Sequence, residues 1–266
     1  MEIFGFIGTG NMGGAMARAA CKRLSGEQVL LANRTPEKAS ALAGELGCAA
    51  VDNAAVAKRA TYIFLGVKPQ MMPGMLAEIA PILAAREDRF ILVSMAAGLT
   101  MERICELAGG SYPVIRILPN TPSAIGEGMV LYAVGDGVSA AEEQTFLECM
   151  AGAGRFSALA EKLIDAGSAV SGCGPAFVDL FLEALADGGV ACGLPRASAM
   201  EFAAQMVLGS AKLALESGKH PGALKDAVCS PGGTTIQGVR TLERAGFRGA
   251  VMDAVIAACE KNADLK

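Results

Sequence analysis

The chain is short of the side chains that most often move protons or hold metals. Its 266 residues include one histidine, His220. Pro221 and Gly222 follow it at once, so it reads as an exposed turn residue. No Ser/His/Asp or Cys/His constellation can be proposed. The eight cysteines (21, 48, 105, 149, 173, 192, 229 and 259) are scattered and form no C-x-x-C pair. With one imidazole available, neither zinc nor an iron–sulfur cluster is expected, and no metal site is assigned. The cysteines read instead as small, mostly buried thiols of a reducing cytoplasm. Basic runs are also missing, and the formal net charge is −4. That argues against a nucleic-acid partner, which would demand a basic patch. No apolar run approaches the ~18 residues of a membrane span. Met1 leads directly into the first strand, leaving no room for a signal peptide. A cytoplasmic protein without a membrane partner is expected. Low-complexity segments and internal repeats are absent as well.

Hydrophobic residues make up 52% of the chain against 19% charged, enough for a sizeable core in one large or two modest domains. The organising stretch is at the start. Ile3, Phe4, Phe6 and Ile7 read as a short buried strand, and Gly8-Thr9-Gly10-Asn11-Met12-Gly13 follows directly. Ala15, Met16, Ala19, Ala20 and Leu24 then recur at helical spacing, so a G-x-G-x-x-G turn joins strand to helix. The first glycine permits the tight turn, the second lets backbone approach a pyrophosphate, and the third lets helix and strand pack closely. The helix N-terminus offers unpaired N–H groups to the phosphates. A second strand, Val29 to Ala32, ends in Asn33-Arg34-Thr35. An NAD site would carry Asp or Glu there. Here nothing repels a 2′-phosphate, and Arg34 can pair with one bidentately, so the cofactor expected is NADP(H), with NAD(H) as the alternative.

Pro36 is placed to open a helix and Gly47 to stop it; Asp52 can cap a short one. Further strands are expected at Tyr62 to Val67, Phe90 to Val93, Val114 to Leu118 and Met129 to Val134. Helical periodicity fills the gaps, and Ser139 caps a helix running to about Ala153. Alternating strands and helices imply a doubly wound, mostly parallel sheet, with ligands beyond the carboxyl ends of the strands. The unusual tails fall there: the glycine loop, Asn33 to Thr35, Val67-Lys68-Pro69, Ser94 to Gly98 and Pro119 to Pro122. Lys68 could contact a ribose or act as an acid; an ordinary strand-end lysine explains it equally well. From Leu159 the pattern changes, and no strand is evident beyond Glu161. Helical runs rich in Ala, Gly and Met take over, a composition that suits a dimer core. The expected organisation is therefore a Rossmann α/β domain over 1–158 and an all-α dimerisation and substrate domain over 159–266.

One further stretch carries chemistry, Ser230-Pro231-Gly232-Gly233-Thr234-Thr235. It reads as a loop delivering a helix N-terminus, with free N–H groups and three hydroxyls for a small anion such as a carboxylate. An N-cap preceded by a turn would use the same residues. The scarcity of proton-transfer groups suits hydride addition to an iminium, where nicotinamide supplies the chemistry and the protein supplies orientation.

At these residues the chain resembles pyrroline-5-carboxylate reductase nearly end to end. The motifs are Gly5-Phe-Ile-Gly-Thr-Gly-Asn-Met12, Val67-Lys-Pro69, Arg116-Ile-Leu-Pro-Asn-Thr-Pro122, Ser171-Gly-Cys-Gly-Pro-Ala176 and Ser230-Pro-Gly-Gly-Thr-Thr235, together with Asp165. The resemblance implies reduction of 1-pyrroline-5-carboxylate to L-proline with NAD(P)H, the last step of proline synthesis. It further implies a Rossmann domain and C-terminal helices interlocked in a homodimer, in many members assembled as five dimers into a decamer. It places the dinucleotide on Gly8, Gly10, Asn11, Met12, Asn33, Arg34, Thr35, Asn53, Val67, Lys68, Pro69, Ser94, Ala96, Ala97 and Asn120. It places the substrate on Glu161, Ser230, Gly232, Gly233, Thr234 and Thr235, the carboxylate loop coming from the partner subunit, with Thr235 nearest the imine nitrogen as the catalytic residue. Two departures stand out: Cys173 where serine is usual, and Gly218-Lys219 where an acid often precedes the His-Pro pair.

Two rivals remain. A β-hydroxyacid dehydrogenase or related imine reductase would be expected to carry a catalytic lysine on a long helix after the domain junction. Lys162, the only lysine near there, lies before the Ser171-to-Pro175 turn instead. A non-catalytic NADP-binding sensor would keep the first loop but would not need Ser230 to Thr235.

Overall fold

A computed structural model describes residues 2–263. The chain divides into two compact units, one holding residues up to Cys173 together with those from Ala258 on, the other Gly174–Ala257.

The first unit is built on one eight-stranded sheet. Its strands are β1 (Phe4–Ile7), β2 (Val29–Ala32), β3 (Ala49–Ala50), β4 (Tyr62–Leu65), β5 (Ile91–Ser94), β6 (Val114–Leu118), β7 (Gly128–Val134) and β8 (Gly154–Ala158), in the order β3-β2-β1-β4-β5-β6-β7-β8. All neighbours pair in parallel except β6 and β7, which run antiparallel with Ile117 opposite Tyr132. Six of the strands were expected. β3 and β8 were not: β3 is two exposed alanines, and no residue of β8 is fully buried. Neither carries the apolar run that announces a buried parallel strand.

Strand pleating sends Phe4 and Phe6 to one face and Ile7 to the other. On the first face Phe6 stacks on Phe64 at 4.3 Å and Phe4 on Tyr62 at 4.6 Å, under helices α1 (Asn11–Cys21) and α2 (Pro36–Leu46) and the helix Ala140–Met150. The second face is covered by α3 (Asn53–Arg59), α4 (Met72–Ala84) and α5 (Met101–Ala108). The caps follow the expected chemistry. Pro36 opens α2 and Gly47 closes it at φ +67°. Asp52 accepts from Ala55 N at 2.7 Å, and Ser139 with Glu142 forms a capping box. In chain order Ala140–Met150 is α6, followed by α7 (Glu161–Ser171).

The second unit is helical throughout, with α8 (Gly174–Ala191), α9 (Arg196–Ser217), α10 (Pro221–Ala227), α11 (Thr234–Arg244) and most of α12 (Phe247–Ala263). Only Ala186, Ala199 and Ala203 are buried hydrophobics among its described residues. Leu180, Phe202, Leu208, Leu213, Leu215 and Met252 are all more than half exposed. So large an apolar surface on a single chain marks an interaction surface.

Three sequence expectations are modified. The stretch Glu161–Ala191, 31 residues, is long and apolar enough to cross a membrane by length and composition, contrary to the expectation that no run came close. Its hydropathy comes from leucine, valine, isoleucine and phenylalanine spread among alanines and glycines and interrupted by Asp165, Asp179, Glu183 and Asp187, so that no unbroken apolar run shows in the sequence. The cysteines are free but not mostly buried: seven are half-buried and Cys192 is exposed. Burial, reinforced by the neighbouring Cys48, pushes the Cys21 thiol up to about 12. His220 is exposed as expected, but it also has a structural task, since its Nδ1 accepts from Gly222 N at 3.0 Å and caps α10.

Candidate active site

The strand order reverses direction between β1 and β4, and the carboxyl ends there frame a crevice. Gly8 turns the chain out of β1 with φ +97°, a conformation costly for any other residue. A Cβ on Gly8 would stand 2.6 Å from the Gly66 carbonyl oxygen at the end of β4, and one on Gly13 would collide with the Gly8 carbonyl. A Cβ on Gly10, by contrast, would meet nothing within 4 Å. Two glycines thus close the loop, and the middle one leaves its backbone open to a ligand. Gly10 also begins α1 without a side-chain cap, so the N–H groups of Asn11, Met12 and Gly13 lack helical partners. The Thr9 hydroxyl is buried without a hydrogen-bond partner. An uncapped helix start, open backbone and an orphaned hydroxyl together fit a dinucleotide pyrophosphate.

Gly8, Gly10, Asn33, Arg34, Thr35, Asn53, Val67 and Lys68 all wall one cleft of about 740 Å³. Asn33 has a further duty: its Oδ1 accepts from Thr9 N at 3.2 Å and its Nδ2 donates to Thr35 O at 3.1 Å, stapling the glycine loop to the end of β2. Arg34 is held only lightly, its Nη1 lying 3.7 Å from the Met71 sulfur. Lys38 and Glu78 line the same cleft, and neither was expected from the sequence. Lys38 did leave a signal: a cation in the first turn of α2 works against the helix dipole. Glu78 left none, because only the fold brings α4 to α3. A second cleft of about 540 Å³ shares Gly10 and Lys38 with the first and adds Thr9, Asn11 and Arg18, with Arg18 paired to Glu45.

The remaining expected dinucleotide residues line neither cleft. Met12 lies in the first turn of α1, and Pro69 opens the short 3-10 turn Pro69–Met71. Ser94 and Ala96 are buried at the carboxyl end of β5, where Ala96 N donates to Ser94 Oγ at 3.4 Å, and Ala97 follows half-buried. Asn120 is committed to the fold, its Nδ2 donating to Ser171 O and its Oδ1 accepting from Met129 N, both at 3.0 Å.

Glu161 begins α7, and its Oε1 accepts from Met101 N at 2.6 Å. The same oxygen lies 3.6 Å from Arg116 Nη1, while Arg116 Nη2 donates to Asp165 at 2.6 Å. Arg116 is 1% exposed, so β6 buries a guanidinium held by two carboxylates of α7.

In the helical unit, Ser230, Gly232, Gly233, Thr234 and Thr235 form the entry to α11. Gly233 N donates to Ser230 O at 3.0 Å, and Gly232 takes φ +71°. Gly233 is the N-cap but has no side chain to cap with, and the first turn holds no acid. Hence the N–H groups of Thr234, Thr235 and Ile236 are open to an anion.

A glycine cradle at a topological switch point, with cations at the end of β2, defines a Rossmann oxidoreductase that uses NADP. Comparison with known proteins agrees. A family model described as NADP oxidoreductase, coenzyme F420-dependent, matches residues 3–98, and one described as pyrroline-5-carboxylate reductase dimerisation matches residues 161–265. The chain is 42% identical to pyrroline-5-carboxylate reductase of Escherichia coli, covering 98% of this chain and 97% of that one. It is 38% identical to the enzyme of Pisum sativum, covering 98% and 95%. The crystal structure of Plasmodium falciparum pyrroline carboxylate reductase with NADP bound is similar at TM-score 0.88 and 30% identity, covering 99% of this chain and 98% of that one. The chain belongs to the pyrroline-5-carboxylate reductase family.

Proposed function

We infer that this chain reduces 1-pyrroline-5-carboxylate to L-proline with NADPH, as a cytoplasmic homodimer. The observation that carries this is relationship over the whole chain: the E. coli reductase is matched across 98% of these residues, sheet unit and helical unit together. When bound, the nicotinamide would supply a hydride to C5 of the N-protonated ring, so that C=NH⁺ becomes CH–NH and the oxidised cofactor is left. The chain itself binds and orients. The open backbone at Gly10 and the free N–H groups of α1 receive the pyrophosphate. Arg34 and Lys38 receive the 2′-phosphate, since the end of β2 carries no carboxylate to repel it. The free N–H groups at the start of α11 receive the substrate carboxylate, with the Thr235 hydroxyl next to the ring nitrogen. The exposed apolar helices meet their equivalents in a second copy, as the dimerisation match supports. We extend this to a decamer of five dimers, which light scattering would report as about ten times, rather than twice, the 27.1 kDa protomer mass.

The test is oxidation of NADPH by the purified protein with 1-pyrroline-5-carboxylate, with proline identified as product. NADPH binding without turnover would instead favour a cofactor sensor. Thr235→Ala is expected to raise KM and lower kcat, with kcat/KM down about 10- to 100-fold for one lost polar contact in a desolvated site. Unchanged kinetics would remove Thr235 from the mechanism.

A further inference from the structure

The NADP cleft is divided by charge. Arg34 and Lys38 supply cations from the end of β2 and the start of α2. Another part of the wall is made by Asn53, the first residue of α3, and Glu78 on α4. Asn53 Nδ2 donates to both carboxylate oxygens of Glu78, at 3.2 and 3.4 Å. An ionised carboxylate only accepts, so the amide cannot be turned the other way: its nitrogen must face Glu78, and its oxygen is left to accept from a ligand. An acceptor oxygen beside a carboxylate repels a phosphate and suits a donor.

The adenosine 2′-phosphate of NADPH offers a phosphate and, at the far edge of its base, an exocyclic amine. We propose that Asn53 Oδ1 accepts a hydrogen bond from the adenine amine, and that Glu78 is the positioning residue that fixes the Asn53 amide for it. The cleft then reads the nucleotide twice, by cations for the phosphate and by an oriented amide for the base. Glu78 acts through Asn53 and need not touch the ligand. This rests on the assignment of the cleft as the NADPH site.

The experiment measures dissociation constants by isothermal titration for NADPH, NADH and reduced nicotinamide hypoxanthine dinucleotide phosphate, which carries a carbonyl in place of the amine. Wild type should bind the hypoxanthine analogue about tenfold more weakly than NADPH, because a donor is lost and two acceptors are set against each other. Asn53→Ala and Glu78→Ala should bring that ratio to within about twofold by weakening NADPH, and NADH with it, but not the hypoxanthine analogue. Glu78→Gln keeps an acceptor for Asn53 Nδ2 and should retain most of the discrimination. The NADPH-to-NADH ratio should be unchanged in all three variants, since the phosphate contacts lie elsewhere. Equal affinity of wild type for the adenine and hypoxanthine cofactors overturns the proposal. So does a Glu78→Ala variant that weakens both equally, which would mark a merely structural role. Failure of wild type to bind NADPH at all would overturn the cleft assignment, and this proposal with it.

Discussion

Arg116→Met is expected to destabilise the protein by about 3 kcal/mol, because it removes a buried guanidinium together with its charge-assisted contacts to two half-buried carboxylates of α7. Arg116 is 1% exposed and donates to Asp165 at 2.6 Å, with Glu161 a further 3.6 Å contact. Asp165 is only 14% exposed, so water can replace the guanidinium there only in part. At roughly 2–4 °C per kcal/mol for a chain of this size, the thermal midpoint should fall by about 6–12 °C at fixed protein concentration. Two controls separate the charge from the volume. Arg116→Lys keeps the charge but not the fork, and should recover only part of the loss. Arg116→Gln keeps polarity and much of the length without the charge, and should recover less than Arg116→Lys does. A single variant within about 1 kcal/mol of wild type, measured by denaturant melts, would show that the ion cluster does not hold α7 to the sheet.

Arg34→Ala should raise the dissociation constant for NADPH by about 10- to 100-fold while leaving NADH within about threefold, the range expected for losing charge-assisted hydrogen bonds to one phosphate. Two observations set the direction. Arg34 lines the cleft, and among the described residues its guanidinium is in no salt bridge and contacts the Met71 sulfur at 3.7 Å, which leaves it available to a phosphate. Lys38 lines the same cleft and would keep part of the affinity, which places the effect below that of losing both cations. The loss should shrink as salt is raised, because the phosphate contact is open to solvent and is screened. Equal weakening of both cofactors would show that Arg34 shapes the cleft rather than reading the 2′-phosphate.

The glycine loop was legible because its demands are local: a positive φ at Gly8, a close approach at Gly13 and open space at Gly10 are properties of a single strand-to-helix turn. Asp52, Ser139 and Pro36 were legible as caps for the same reason. The free start of α11 was legible from two glycines followed by helical spacing. Asn33 marked the right place in the sequence, but its double hydrogen bond to Thr9 and Thr35 depends on the glycine loop folding back beside β2. Asn120 is similar, since its amide reaches Ser171, 51 residues away. Glu78 left no trace because its partner lies 25 residues earlier, on a different helix.

By itself, then, the sequence determined the kind and order of nearly all the elements, the dinucleotide turn, the absence of a carboxylate at the end of β2 and the uncapped helix entry at Gly233. These follow from side-chain periodicity, turn chemistry and capping, which act over a few residues. Only the tertiary structure decided that β7 runs antiparallel, that β3 and β8 extend the sheet at its edges, that Arg116 is buried between two acids of α7, and that Glu78 turns the Asn53 amide. The reason is distance along the chain: each of these pairs groups that no local propensity connects, and each exists only once packing has brought them together.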